Sequence, residues 1–532
     1  VAAACLGAAR AQQRGFATEA AITWALAGLE LRCEAGTRVS LLITLGDARN
    51  DAGDPEEAER LYLRACREGE SLPRLAAVAA TRLARRWSDP GQADRQLLHV
   101  LGGALEALRG DTGDEAVPLR LQLQAHLAHK LTLAVSDSLD PTYAGLRPGV
   151  ELARTTLREL EESGAGPLIR CEVLNECRWG LYDFASPQEL LGIAERLLEA
   201  SVEAGSAHFR SEAMVALTID RLRLGLLREA AATVAGHRRH VARNHRGFGP
   251  WLQATLDTLM DLWHGEFARA EERVLAGWKQ LDGAGEGGTA AADTLRQTLI
   301  GQHFWLLREQ GRLGEVFGSG LARQVVEYEY FPIWRAALVL ALCEIGGHED
   351  ARDRLRAFFR ETSDLGALPP DGWSVPTLAL LAESCALLVE AGHGDPELSR
   401  CAALVRERLS AHRGQIALAG WPTILMGPTD RYLGLLALAE GDAEEALRRF
   451  DEALPLAGAA SPLIARLHLD RARALRLRGG AGSPGDAGTV SGDARDPAGG
   501  SEGEAARLIR RALRLAERLG MAGVAARALS LL

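Results

Sequence analysis

Lysine is almost missing from this chain: of 61 basic residues only Lys130 and Lys279 are lysines, and the rest are arginines. Neither AHLAHKLTL nor GWKQLDG places its lysine in a Gly-Lys-Ser/Thr turn, so the cradle of backbone amides and lysine that holds nucleotide phosphates is excluded. The arginine bias, with abundant Ala and Gly, fits a GC-rich bacterial genome. Aromatics make up only 5% of the residues, and no stretch alternates like a strand, which leaves Ala, Leu, Arg and Glu, all good helix formers. The 8 cysteines form no CxxC pair; buried free thiols in a reducing cytoplasm are expected rather than a disulfide frame. The opening VAAACLGAARA is apolar but too short to span a bilayer and lacks a charged lead. It starts with Val rather than Met, which suggests a chain cut from a longer polypeptide. There is no GxSxG elbow, no HExxH helix and no GxGxxG after a strand, so no catalytic residue, bound cofactor or metal is expected in this segment. A net charge of −10 argues against nucleic acid as a partner.

What is there is periodic. LLITLGDARNDAGDPEEAERLYLRACREG (41–69) and RYLGLLALAEGDAEEALRRFDEALPLAG (431–458) share one template: Gly46, Ala58, Tyr62 and Ala65 in the first answer to Gly434, Ala446, Phe450 and Ala453 in the second, with Gly-Asp at the turn of both. This spacing resembles that of tetratricopeptide (TPR) helical hairpins, although Arg49 and Glu70 stand where Tyr and Pro are usual. Small residues would let the two helices of a hairpin approach, and Tyr62 or Phe450 would fill the gap toward the next hairpin. One hairpin cannot bury its apolar face alone, so an all-α solenoid, a TPR-like superhelix of antiparallel hairpins, is expected.

Further hairpins are legible at 211–245, 250–281, 294–329, 332–362 and 373–412, each with Gly between apolar helical runs. From 71 to 200 the period is hardest to find, though SDPGQ (88–92), LRGDTGDEAVP (108–118) and SDSLDPTYAGLRPG (136–149) punctuate helices. The expected spans are divergent repeats over 1–210, clearer repeats over 211–478, a disordered Gly/Asp/Ser/Pro-rich loop over 479–503 and a docked closing helix over 504–532.

LREQGRLGEV, PIWRAALVLALCEIGGHEDAR, WSVPTLALLAESCALL, GPTDRYLGLLALAEGDAEEALRRFDEAL and LAERLGMAGVAARAL together resemble the C-terminal helical region of bacterial STAND-type ATPase regulators, and the resemblance covers nearly the whole chain. Members join this region to an N-terminal NTPase module and to a LuxR-type, SARP/BTAD-type or class III cyclase output domain. The resemblance implies a cytoplasmic sensor and assembly arm, with ATP and Mg bound only by an upstream module. It also implies a protein, peptide or small-molecule effector as partner, and self-association through the full-length protein.

Candidate contacts come from aromatics at helix breaks. Trp179 and Tyr182 lie in RWGLYDF, and Tyr328, Tyr330 and Trp334 surround Pro332. Such side chains anchor partners in grooves, but they also fill hairpin junctions, which is the favoured reading. GWPTILMGPTDRYLG (420–434) is apolar yet broken by Pro422, Gly427 and Pro428, so it must line the groove or plug it; Trp421, Met426, Arg431 and Tyr432 are its candidates. His237, His240 and His245 sit in GHRRHVARNHR without an acidic or Cys neighbour, and read as a solvated helix face rather than a metal site. The function expected is a non-catalytic sensor or scaffold arm, with a stand-alone TPR adaptor or peptide receptor as the alternative.

Overall fold

The computed structural model describes residues 1–85, 94–133, 147–244, 249–283, 290–318, 321–328, 331–420, 422–458, 462–480 and 497–532. Successive helices pack as antiparallel neighbours through almost all of them. The first template is the pair Ala35–Asp51 and Pro55–Glu68. Gly53 turns at φ 82°, and the Asp54 carboxylate accepts the Glu57 amide at 3.2 Å to cap the second helix. The second template, Thr429–Ala439 and Ala443–Ala457, repeats both devices, with Gly441 at φ 85° and Asp442 accepting from the Glu445 amide at 3.0 Å.

The template glycines have a cause different from the one expected. A Cβ on Gly46 would lie 2.6 Å from the Tyr62 ring, and one on Gly434 2.5 Å from the Phe450 ring. Each aromatic therefore covers the glycine of its own hairpin; Tyr62 also joins Ala77 and Ala80 of the next helix in one cluster. Close approach of ring to backbone, more than helix to helix, is what forbids a side chain there.

The chain closes on itself. The turn glycines of consecutive hairpins, Gly225, Gly265 and Gly311, all at positive φ, abut Leu456, Leu519 and the backbone of Gly523. A Cβ on Gly311 would lie 2.5 Å from the Gly523 amide nitrogen. On another edge the Trp373 amide donates to the Asp183 carboxylate at 2.8 Å, and Arg223 pairs with Asp371. One core runs from Leu121 to Ala528. Ahead of it, the N-terminal helices keep smaller cores of their own around Leu41 and Leu101.

Three sequence expectations change. The apolar break after residue 412 is a β-hairpin: β1 (Ile416–Ala419) pairs antiparallel with β2 (Ile424–Pro428), with a register shift between Ala417 and Leu418. Gly420 (φ 74°) makes its turn, where a Cβ would collide with the Thr423 hydroxyl. Pro422, Gly427 and Pro428 deny the segment a helix, and both strands are buried on both faces. Next, the described part of the second half of 294–329 consists of the short helices Gly314–Gly318 and Leu321–Glu327, with residues 319 and 320 outside the described residues. Finally, helices reach into the inserted loop from both sides, Pro462–Gly480 and Pro497–Leu519; residues 481–496 lie outside the described residues. A helix, Ala207–Arg223, runs across residue 210.

Candidate functional site

The β-hairpin sits inside the closed superhelix. β1 packs on the Ala207–Arg223 and Ser374–Glu390 helices, and β2 on Gly249–His264, Ala290–Glu309 and Thr429–Ala439. Gln302 of Ala290–Glu309 donates to the Thr255 carbonyl at 3.0 Å and to the Thr423 carbonyl at 3.1 Å, tying two helices to the hairpin tip. Tyr432 donates to the Met426 carbonyl at 3.0 Å.

Beside the hairpin lies a pocket of about 730 Å³, counting its open mouth. Phe304 and Trp305 line it from one helix, Phe331, Trp334 and Trp373 from the next repeats, and Ile424 and Met426 from β2. Its polar lining is Thr294, Gln297, Thr298 and Thr423. Trp334 donates its indole N–H to Gln297 Oε1 at 3.2 Å, while the buried Nε2 of Gln297 donates to nothing. The described lining holds no ionisable side chain. A mostly apolar lining with a few hydroxyl and amide groups is suited to binding.

Trp305 and Met426 also border a smaller space on their far side, together with Arg308, Arg431 and Arg466. These arginines belong to a buried ionic network spanning helices distant in sequence. Arg308 pairs with Glu344 at 2.7 Å and Glu383 at 2.8 Å, Arg431 with Glu383 at 3.0 Å and Asp470 at 2.9 Å, and Arg466 with Glu309 at 3.1 Å. Burial alone would push the Glu383 carboxyl up, but Arg308 and Arg431 outweigh it and hold the group well below the usual carboxylate range. The network anchors the helices that carry the hairpin.

The candidate contacts among the described residues point inward. Trp179, Tyr182, Tyr328, Trp334, Arg431 and Tyr432 are buried. The structure joins the two aromatic groups through a residue the sequence did not single out. Trp179 meets Tyr182 at 5.6 Å, Tyr182 meets Trp373 at 6.4 Å, and Trp373 meets Phe331 edge-on at 4.6 Å. Of the candidates, Trp334 and Met426 line the pocket. Arg431 and Tyr432 serve the network and the hairpin. Tyr330 and Trp421 lie outside the described residues, as does His245.

His237 corrects the solvated-face reading. It is fully buried, its Nε2 2.8 Å from the Ser211 hydroxyl and its Nδ1 2.7 Å from Gln253 Oε1, whereas His240 stays near the surface on the Ala207 carbonyl. The histidine cluster that the sequence reading missed lies elsewhere. His126 contacts Glu172 at 2.9 Å and Glu176 at 3.2 Å; His129 contacts Glu176 at 2.8 Å, and Arg85 clamps Glu172 at 2.7 Å. The i,i+3 and i,i+4 spacings on the Ala116–Thr132 and Pro167–Gly180 helices were the available signal. Among the described residues, no group of His, Cys, Asp or Glu is placed to hold a metal.

Burial would push the His126 imidazole down, but Glu176 and Glu172 outweigh it and hold it above its usual value. A raised imidazole contributes stability that is complete below the unfolded value, about 6.5, and is lost as pH rises through the folded one. His129 shifts the opposite way, lowered by burial and by Lys130, so the variant must isolate His126. Relative to His126→Gln, the parent chain should lose stability steadily as pH climbs from about 6.5. Thermal melts of both at intervals up to pH 9 check this, and a constant difference contradicts it.

No protein-family model matches this chain, and no curated protein matches its sequence. Among solved structures, the Cut9 and Hcn1 hetero-tetramer of the APC/C is similar at 13% identity and TM-score 0.43, covering 98% of this chain and 91% of that one. Yeast Tom70 is similar at 12% identity and TM-score 0.30, covering 90% of this chain and 96% of its own. The solenoid itself is shown by the stacked, capped hairpins.

Proposed function

We propose that this chain is a non-catalytic helical-repeat scaffold that binds a protein partner, and that the partner meets it at the N-terminal repeats. The observation that carries this is where apolar surface is left over. Phe16, Trp24, Leu26 and Leu31 are exposed, Phe16 by 77% and Trp24 by 45%. Trp24 and Leu31 share one side of the Thr18–Glu30 helix and its C-terminal end. Exposed apolar side chains close together on a surface mark interaction sites. The interior, by contrast, is occupied by the chain's own hairpin.

The resemblance to STAND-type regulators supports a narrower reading, in which the scaffold is the cytoplasmic sensor arm of a bacterial nucleotide-switched regulator. The alternative is a stand-alone adaptor. A photo-crosslinking residue in place of Trp24, followed by affinity capture and peptide mass spectrometry from source cells, tests both. The scaffold reading expects one discrete adduct; no adduct above that of a probe at exposed Glu199 would contradict it. Peptides N-terminal to Val1 carrying a Gly-Lys-Ser/Thr loop would support the regulator arm, whereas a product near 57.0 kDa would leave the adaptor.

A further inference from the structure

We propose that the pocket beside the hairpin is a binding site for a small uncharged molecule carrying an aromatic ring and one hydrogen-bond acceptor. This goes beyond the partner-binding reading, which uses the first two helices and needs no pocket. Three of the chain's 10 tryptophans, Trp305, Trp334 and Trp373, converge there with Phe304 and Phe331, in a protein with few aromatics to spend. Convergent ring faces and edges favour a flat apolar guest.

Charge excludes the other ligand classes. Among the described residues no ionisable side chain lines the pocket, and the arginines that share Trp305 and Met426 with the neighbouring space are paired with Glu383, Glu344, Asp470 and Glu309. An ion entering would lose its hydration without gaining a partner. One polar demand is left open. Gln297 has its oxygen engaged by Trp334 while its buried Nε2 donates to nothing, and a buried donor without an acceptor is costly. A carbonyl or ether oxygen on the guest would satisfy it and fix the ring's orientation.

The test is a titration of the purified full chain with prodan, an uncharged naphthalene bearing one ketone, read by its emission shift, with naphthalene as the acceptor-free competitor. Saturable one-to-one binding is expected. Ala337→Trp, which fills the pocket from its lining, should weaken prodan by more than about tenfold, as expected for loss of a full ring contact. Gln297→Met should weaken prodan about five- to tenfold while leaving naphthalene unchanged, the signature of one lost hydrogen bond. No saturable binding, or equal affinity in the parent and Ala337→Trp, overturns the site. Equal loss of both probes in Gln297→Met overturns the role of the amide. Should Ala337→Trp fail to fold, the parent chain and Gln297→Met decide the question without it. Because no protein partner is in the assay, its failure is distinct from failure of the scaffold reading.

Discussion

Arg431→Leu is expected to be the most damaging single substitution in this chain, at about 3–5 kcal/mol, the range for removing one member of a buried ion pair. The guanidinium bridges Glu383 at 3.0 Å and Asp470 at 2.9 Å with almost no exposure to water. Leucine replaces the volume but leaves two carboxylates short of a partner. Arg308 still reaches Glu383 at 2.8 Å, and among the described residues Asp470 keeps one distant arginine, Arg473, at 3.8 Å. The loss should fall sharply when Asp470→Asn is added, because the stranded charge is then removed, and that non-additivity separates the ionic effect from packing. Urea unfolding of the parent, both single variants and the double variant measures it. A single variant within about 0.5 kcal/mol of the parent, as for an ordinary surface change, would mean that water reaches the network.

Gly311→Ala is expected to open the closure between early and late repeats, and Gly441→Ala is its internal control. Both glycines sit at positive φ, 73° and 85°, so alanine pays the left-handed penalty of roughly 1–2 kcal/mol at either. At Gly441 there is nothing within 4 Å, and the cost should stop there. At Gly311 the new methyl would meet the Gly523 amide nitrogen at 2.5 Å, and backbone cannot rotate out of the way as a side chain can. Overpacking of this kind adds about 1–3 kcal/mol, and its relief is for the Ala522–Ser530 helix to lift off. Urea unfolding together with limited proteolysis near Met521 reports both effects. Equal losses in the two variants, with no new cleavage, would show that the close approach carries no weight.

How far the sequence anticipates this molecule depends on the range of the interactions involved. Gly46 with Tyr62 and Gly434 with Phe450 are local, within one hairpin, and their spacing announced the fold. The Asp54 and Asp442 caps are local as well. The hairpin at 416–428 was legible only as an apolar segment that cannot be helical, because strands this short hold too few residues for alternation to register, and burial on both faces removes it altogether. The partners of Arg431 lie at Glu383 and Asp470, and the neighbour of Gly311 at Gly523; nothing in a repeat period specifies them, since they arise from how far the superhelix turns. His237 misled for the same reason. Its basic flanks, Arg238 and Arg239, suggested water, while its own side of the helix faces Ser211 and Gln253. The pocket residues were half legible: Trp334 stood out beside Pro332, but Gln297 and Trp373 acquire meaning only through their neighbours.

Closure around an internal hairpin is the claim on which the rest depends, because an open groove would return the interior to an extended peptide partner. Amide hydrogen exchange on the full chain tests it most directly. With both strands buried and held by Gln302 and Tyr432, the amides of Ile416–Ala419 and Leu425–Gly427 should be among the slowest in the protein, exchanging only with global unfolding, while the helices Ala2–Arg14 and Thr18–Glu30 exchange far sooner. Hairpin amides that exchange as fast as those of the first two helices would contradict the closure.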